Sequence, residues 1–267
     1  MNSRTFEGQR LRAIFKKAYT TLPSHELETK AYDRSQAKPG FPYLSFKQAE
    51  ALKLSYALKI AERKNIEAAI FAGEQRTASE TIASTNRRLK DLVNKGYLEV
   101  YKMGKSSSHW YALTEQSFQY LRRRPYNTDF DNHRMLRIHA VNQRFTQLCN
   151  AYRETHVIDW ETEPVVPVYE EKGEWTPTAV AVVWEDQAKT KAVEAHIYET
   201  LENVYLEDQL LEVERLKAKY TNTTMWKYFP VMPDVVLVHQ DTYEELKLME
   251  NKEVVASQSE IEKWLGL

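Results

Sequence analysis

The chain has 267 residues, 42% of them hydrophobic, enough for one large domain or two modest ones that each bury a core. No run approaches the ~20 apolar residues that cross a bilayer. The N-terminal stretch MNSRTFEGQRLRAIFKK has no signal-like apolar segment, and a lone cysteine, Cys149, excludes an intrachain disulfide or a thiolate metal cage; a soluble, cytoplasmic protein with no cofactor is expected. The net charge of -1 hides two halves of opposite sign. Up to Arg124 there are roughly 23 Lys and Arg against roughly 12 Asp and Glu, and the remainder is acidic to about the same extent, an asymmetry that points to a polyanionic partner for the first half.

In chain order, residues 1–44 read as a basic helix from about Phe6 to Leu22 and a connector, PSHELETKAYDRSQAKPGFPY. Ser45 and Gln48 then form an S-x-x-Q capping box ahead of an amphipathic helix through Leu58, and a second helix runs from about Arg63 to Phe71. Gly73 ends it, and Thr77-Ala78-Ser79-Glu80 opens a third helix to about Lys95. On that helix Ile82, Leu89 and Val93, with Thr85 and Leu92 more oblique, form the expected inward face, while Ser84, Arg87 and Asp91 lie opposite, flanked by Arg88 and Lys95.

After Gly96, YLEVYKM and HWYAL read as two strands joined by Gly104-Lys105-Ser106-Ser107-Ser108, followed by a Thr114-capped helix ending in Arg122-Arg123-Arg124. Residues 45–125 therefore read as a winged helix-turn-helix, whose third helix enters the major groove of DNA while the hairpin lies along a phosphate strand.

Residues 126–267 read as a mixed α/β domain, making the whole α+β. A helix from His133 to Tyr152 offers Leu136, Ala140, Phe145, Leu148 and Cys149 for burial, Cys149 as a small core residue. Strand-like HVIDW, PVVPVY, TAVAVVW and KAVEAHIYE follow, then a charged helix from about Leu201 to Tyr220 and the strand DVVLVH. A helix opened by Thr242-Tyr-Glu-Glu245, a short VVA strand and a last helix capped by Ser257 and Glu260 complete the chain.

Several of these pieces together resemble the replication-relaxation family of plasmid and mobile-element proteins: HWYALTEQSFQYL, HRMLRIHAVNQRF, TPTAVAVVW with KAVEAHIYET, LEDQLLEVERLKAKYT and PDVVLV, spanning about residues 45–250. The resemblance implies a winged helix followed by a restriction-endonuclease-like domain, with a role in plasmid replication or DNA mobilisation. A replication or relaxase protein would be the protein partner in keeping with that role.

Nucleases of that fold place an aspartate at the start of one strand and Glu-x-Lys on the next to hold a divalent cation. Here the matching positions read Pro177-Thr178 and Glu194-Ala195-His196, one carboxylate and no lysine, so a degenerate, non-catalytic domain with no metal is expected. Asp159, Glu161 and Glu163 alternate on a strand, as a solvated face does, and keep a metal-dependent nuclease as an alternative. Glu194 and His196 read as a simple polar pair, and Pro233-Asp234 as a strand start. His133 and His139, six apart, lie on different helix faces, and no P-loop, dinucleotide fingerprint or G-x-S-x-G is present.

The candidate DNA contacts are Ser84, Arg87 and Arg88 in the groove, Arg76, Lys95, Lys102 and Lys105 on phosphates, and Ser106, Ser107 and His109 at the wing tip; Thr77 and Glu80 are helix caps. The 6 Trp and 16 Tyr fall mostly in apolar-periodic segments and read as core. The reading is of a double-stranded-DNA-binding accessory protein, with a transcriptional repressor carrying a dimerisation or effector domain as the alternative. A homodimer is compatible with either, through the helix at 201–220 or the final helix.

Overall fold

The computed structural model describes residues 15, 17–30, 38–71, 77–102, 109–168, 173–201, 206–222, 229–239, 245–250 and 253–254. The fold is mixed, helices with a mixed β-sheet, and the chain divides into two compact units: Tyr19–Ile158, and Met1–Ala18 with Asp159–Leu267.

In the first unit, a two-residue strand β1 (Tyr19–Thr20) precedes the short helix α1 (Ser24–Thr29). The expected N-terminal helix thus gives way to a strand at its end, and the expected connector contains a helix. Thr21 explains the former: its N–H donates to Ile158 O at 2.9 Å and its Oγ1 accepts from Ile158 N at 2.8 Å, partners remote in sequence.

Helix α2 (Phe46–Leu58) starts from the expected box, with Ser45 Oγ accepting from Gln48 N and Gln48 Oε1 accepting from Ser45 N at 3.0 Å. Lys59, in a left-handed conformation at φ 64°, turns the chain into a strand that the sequence did not signal, β2 (Ile60–Glu62). Helix α3 (Arg63–Ile66) follows and continues as a π-helical turn, Glu67–Phe71. Next come α4 (Ala78–Asn94), β3 (Leu98–Lys102), β4 (His109–Leu113) and α5 (Glu115–Leu121). The three strands make an antiparallel sheet in the order β2-β4-β3.

Helix α5 ends with Arg122 at φ 53°, ψ 43°. Arg122 N donates to Gln119 O at 3.1 Å and Arg123 N to Phe118 O at 3.0 Å. This is a Schellman closure with arginine where glycine usually sits, at a cost of about 1 kcal/mol.

Helix α6 (Asn132–Tyr152), capped by Asp131, belongs to the same unit. It is held by buried polar contacts as well as by apolar ones. Asn142 Nδ2 donates to Leu58 O (3.1 Å) and Ile60 O (2.6 Å), and Asn65 Nδ2 donates to Asn142 O (2.9 Å) and Thr146 Oγ1 (2.8 Å). Ile60, Trp110, Met135 and Ile138 form a core cluster flanked by Tyr101 and Phe130. Cys149 is buried, and burial pushes its thiol far above the ordinary range, as for an inert core residue.

The chain enters the second unit along β5 (Val157–Thr162). A separate hairpin, β6 (Val166–Val168) and β7 (Gly173–Trp175), precedes β8 (Ala179–Trp184) and β9 (Ala192–Leu201). Helix α7 (Leu206–Asn222), β10 (Asp234–His239), β11 (Glu245–Glu250) and β12 (Glu253–Val254) complete it. The sheet runs β5-β8-β9-β10-β11-β12, with β8 and β11 antiparallel to their neighbours β9 and β10. Strands β9 and β10 are parallel and α7 is their crossover, as a parallel pair requires.

The helix expected after Thr242 is instead β11, whose residues pair in antiparallel register with Val235 to Val238. Cross-strand pairing outweighs a local capping pattern there. The last expected helix, with Ser257 and Glu260, lies outside the described residues, as does the part of the expected first helix before residue 15. Among the described residues no helix is long and apolar enough to cross a membrane.

Candidate nucleic-acid interface

Helix α4 begins at a full capping box: Thr77 N donates to Glu80 Oε2 at 3.0 Å and Glu80 N to Thr77 Oγ1 at 3.3 Å. Its buried side is not the apolar arc expected from the sequence but one rotated by roughly a residue, comprising Thr81, Ser84, Thr85, Leu89 and Leu92. Two threonines can face inward because Thr81 Oγ1 donates to Thr77 O (3.2 Å) and Thr85 Oγ1 to Thr81 O (2.8 Å), which leaves their methyl groups for packing. Ser84 is therefore corrected from groove contact to buried residue at 7% exposure, and Ile82, expected inside, is 37% exposed.

The exposed face reads Ser79, Ile82, Ala83, Asn86, Arg87, Lys90 and Asn94, spaced at 3, 4, 7, 8, 11 and 15 residues from the first. Small residues lie near the N-terminal end, then two amides, a guanidinium and an ammonium. An arginine can bridge guanine O6 and N7, an asparagine adenine N6 and N7, and an exposed methyl can meet a thymine methyl. Sequence reasoning found Arg87 alone of these. Centring the helical wheel on Leu89 and Leu92 would have found the rest.

The two acids of α4 are both engaged by neighbouring groups. Glu80 is in the cap, and Asp91 Oδ2 accepts from Gln48 Nε2 and from Lys95 Nζ, each at 2.7 Å. Burial alone would raise the Asp91 carboxyl, but those two hydrogen bonds and the Lys95 charge outweigh it and hold it below the ordinary carboxylate value. Lys95 also donates to Tyr43 O at 2.9 Å, so it ties α4 to the segment before α2. Arg88 is half-buried with its guanidinium 4.6 Å from the Phe71 ring centroid, and Lys47 lies 5.7 Å from the same ring. The structure thus brings Arg88 and Lys95 to the flank of α4, where both fasten the helix, and leaves Arg87 on the open face.

Strands β3 and β4 place Lys102 and His109 opposite each other, both exposed, at the turn end of the hairpin. Lys105, Ser106 and Ser107 in the connecting turn, and Arg76 before α4, lie outside the described residues. Next to His109, Trp110 is fixed from two sides: its Nε1 donates to Glu62 Oε1 at 2.8 Å, and its ring stacks on His139.

In the second unit two of the three acids read as a solvated face, Asp159 and Glu161, are buried, a correction with a plain cause, while Glu163 lies beyond the strand and is half-buried. Asp159 Oδ1 and Oδ2 accept from Lys189 Nζ at 2.6 and 2.7 Å, and Oδ2 also accepts from Trp184 Nε1 at 2.9 Å. Glu161 Oε2 accepts from Lys17 N at 3.2 Å. Thr178 donates through N (3.3 Å) and Oγ1 (3.2 Å) to Glu199 Oε2, and Tyr220 OH donates to Glu199 Oε1 at 2.6 Å. Glu194 and His196 form a pair at 3.2 Å. Among the described residues no group of three or more His, Cys, Asp or Glu is placed to hold a metal ion.

Comparison with known proteins found no matching family model, no matching curated protein and no matching solved structure. The resemblance to the replication-relaxation family therefore rests on the quoted residues alone.

Proposed function

We propose that this protein binds double-stranded DNA through residues 45–125, acting as a winged helix-turn-helix, and that it serves as a non-catalytic accessory factor in plasmid or mobile-element replication or transfer. The observation that carries the reading is the exposed face of α4, a stripe of Asn86, Arg87, Lys90 and Asn94, with the two acids of the helix engaged at the N-cap and by Gln48 and Lys95. Supporting it are the order of elements, helix, strand, helix, helix and hairpin, and the antiparallel strand order β2-β4-β3. The surplus of positive charge in the first half supplies the non-specific attraction to phosphate.

The proposal that the second unit is a restriction-endonuclease-like domain without activity is supported by its acids. Asp159 and Glu199 are engaged by Lys189, Trp184, Thr178 and Tyr220, which leaves few of their lone pairs for a cation. Such a domain would serve for assembly, as a homodimer or with a replication or relaxase protein.

The test is binding of the purified protein to short random and genomic duplexes across a salt series with magnesium present, the products being run on a denaturing gel. Salt-sensitive binding without strand breaks, weakened by Arg87→Ala, is the expected result. Breaks that vanish in Glu194→Ala would replace it with a nuclease, and no binding at low salt would overturn it. A preferred site overlapping a promoter rather than an origin or transfer locus would favour a repressor.

A further inference from the structure

From Arg87 to its end, α4 carries three cations, Arg87, Arg88 and Lys90, and one carboxylate, Asp91. We infer that Asp91 is a specificity-determining residue of this helix: its Oδ1 accepts from the amino group of a cytosine in the major groove, beside the base that Arg87 contacts. The inference rests on the DNA-binding reading above.

The hydrogen bonds of Asp91 fall on one of its two oxygens. Oδ2 accepts from Gln48 Nε2 and from Lys95 Nζ, each at 2.7 Å, and Oδ1 makes no hydrogen bond among the described residues. A carboxylate offers about four lone-pair sites over its two oxygens, so one oxygen remains for a ligand. The side chain is 44% exposed and accessible to one.

Arg87, Asp91 and Lys95 follow one another at four-residue spacing and line one side of the helix. Asp91 has a cation on either side, and its ion pair is made to Lys95, the acid-before-base order that is stronger on a helix. Arg87 is left without an ion pair among the described residues. Lys95 offsets the charge that would otherwise keep the carboxylate away from a polyanion.

The carboxylate is also held in place. Gln48 is fixed by its own capping box, with Oε1 accepting from Ser45 N at 3.0 Å, and Lys95 Nζ is anchored on Tyr43 O at 2.9 Å. A group that reads bases needs such support. Burial would raise the carboxyl, but the two hydrogen bonds and the Lys95 charge hold it below the ordinary range, so it is an acceptor at neutral pH.

An acceptor alone cannot bond a phosphate. The donors in the major groove are the amino groups of cytosine and adenine, and adenine sets its N7 acceptor beside the amino group, where it repels a carboxylate. Cytosine has no acceptor on that edge. With Arg87 one turn earlier suited to guanine O6 and N7, the two residues together fit a site rich in G·C pairs.

The experiment selects preferred sites from random duplexes with the wild type, Asp91→Asn and Asp91→Ala. Binding to selected and random duplexes is then measured across a salt series, and melting temperatures are recorded. The wild type should prefer cytosine at one position by about tenfold. Asp91→Asn is the informative variant, because its amide oxygen can still accept from Gln48 and Lys95 while the group left for the groove becomes a donor. Its preference there should move from cytosine to a base with an acceptor, and Asp91→Ala should have none. Both variants should bind random duplexes at least as well as the wild type, a negative charge near the phosphates having been removed.

A residue that only fastens α4 would behave differently. Asp91→Ala would then melt lower and bind selected and random duplexes more weakly alike, with the cytosine preference kept. That result, or an unchanged site in Asp91→Asn, overturns the inference. A wild type that binds duplex with no cytosine preference also overturns it, whatever the variants do, and leaves the DNA reading intact. No duplex binding at low salt overturns both.

Discussion

The imidazole of His139 on α6 stacks on the indole of Trp110 on β4, with ring centroids 4.7 Å apart and planes 17° from parallel. Burial lowers the His139 value, the Glu62 carboxylate opposes this, and the Lys64 charge adds to the lowering. The net direction is downward, so the folded protein holds the proton less tightly than the unfolded chain. Stability is then unaffected above the ordinary histidine value of about 6.5 and is lost as pH falls below it, because the unfolded state takes up the proton first. Melting temperatures between pH 8 and pH 5 should fall more steeply for the wild type than for His139→Gln, and parallel curves would refute the assignment.

Asn142 should be the most costly polar residue of the first unit to replace. In Asn142→Leu the carbonyls of Leu58 and Ile60 lose their donor inside the fold, which should cost about 2 to 3 kcal/mol, read as a lower urea midpoint with an unchanged slope. A change within about 0.5 kcal/mol would mean that water or a shift of α6 replaces the amide.

Variants along α4 should divide by face. Asn86→Ala and Arg87→Ala should each cost about 1 to 3 kcal/mol of discrimination between preferred and random duplexes. Ser84→Ala should leave binding unchanged, because the hydroxyl it removes is buried. Lys102→Ala should weaken all duplexes alike and reduce the salt slope by about one. A Ser84→Ala defect as large as that of Arg87→Ala would mean the helix presents a different face to DNA.

In the second unit, Lys189→Ala would remove the cation paired with buried Asp159, whose Oδ2 also accepts from the Trp184 indole, and should destabilise by about 3 kcal/mol. Lys189→Ala combined with Asp159→Asn should recover part of that loss, since no buried charge is then left unpaired. Equal destabilisation in the single and double variants would show that the pair acts through packing alone.

Much of the first unit was legible because its signals are local. The boxes at Ser45–Gln48 and Thr77–Glu80 located two helices, and Gly96, with φ 76°, marked the passage from α4 to β3. The face of α4 was not legible from hydrophobicity, since Thr81 and Thr85 satisfy their hydroxyls on the preceding turn and pack as apolar residues, displacing Ile82 outward. Strand β2 has three residues, too few for a period, and exists through pairing with Trp110, Tyr111 and Ala112. The burial of Asp159 likewise depends on Trp184 and Lys189, 25 and 30 residues away. Partners at such separations leave no mark in a local pattern.

The side chain of Glu62 accepts from Trp110 Nε1 at 2.8 Å and from Gln143 Nε2 at 3.3 Å, while its backbone N–H donates to Asn65 Oδ1 at 2.7 Å. One residue thereby belongs at once to the end of β2, the hairpin strand β4, the start of α3 and the helix α6. Separating any of these elements strands the polar groups of the others, so they should open to solvent as a single cooperative block. In amide hydrogen exchange, the backbone of Ile60, Trp110 and Ile138 should share one opening free energy, and a motion of the hairpin at Trp110 should register along α6.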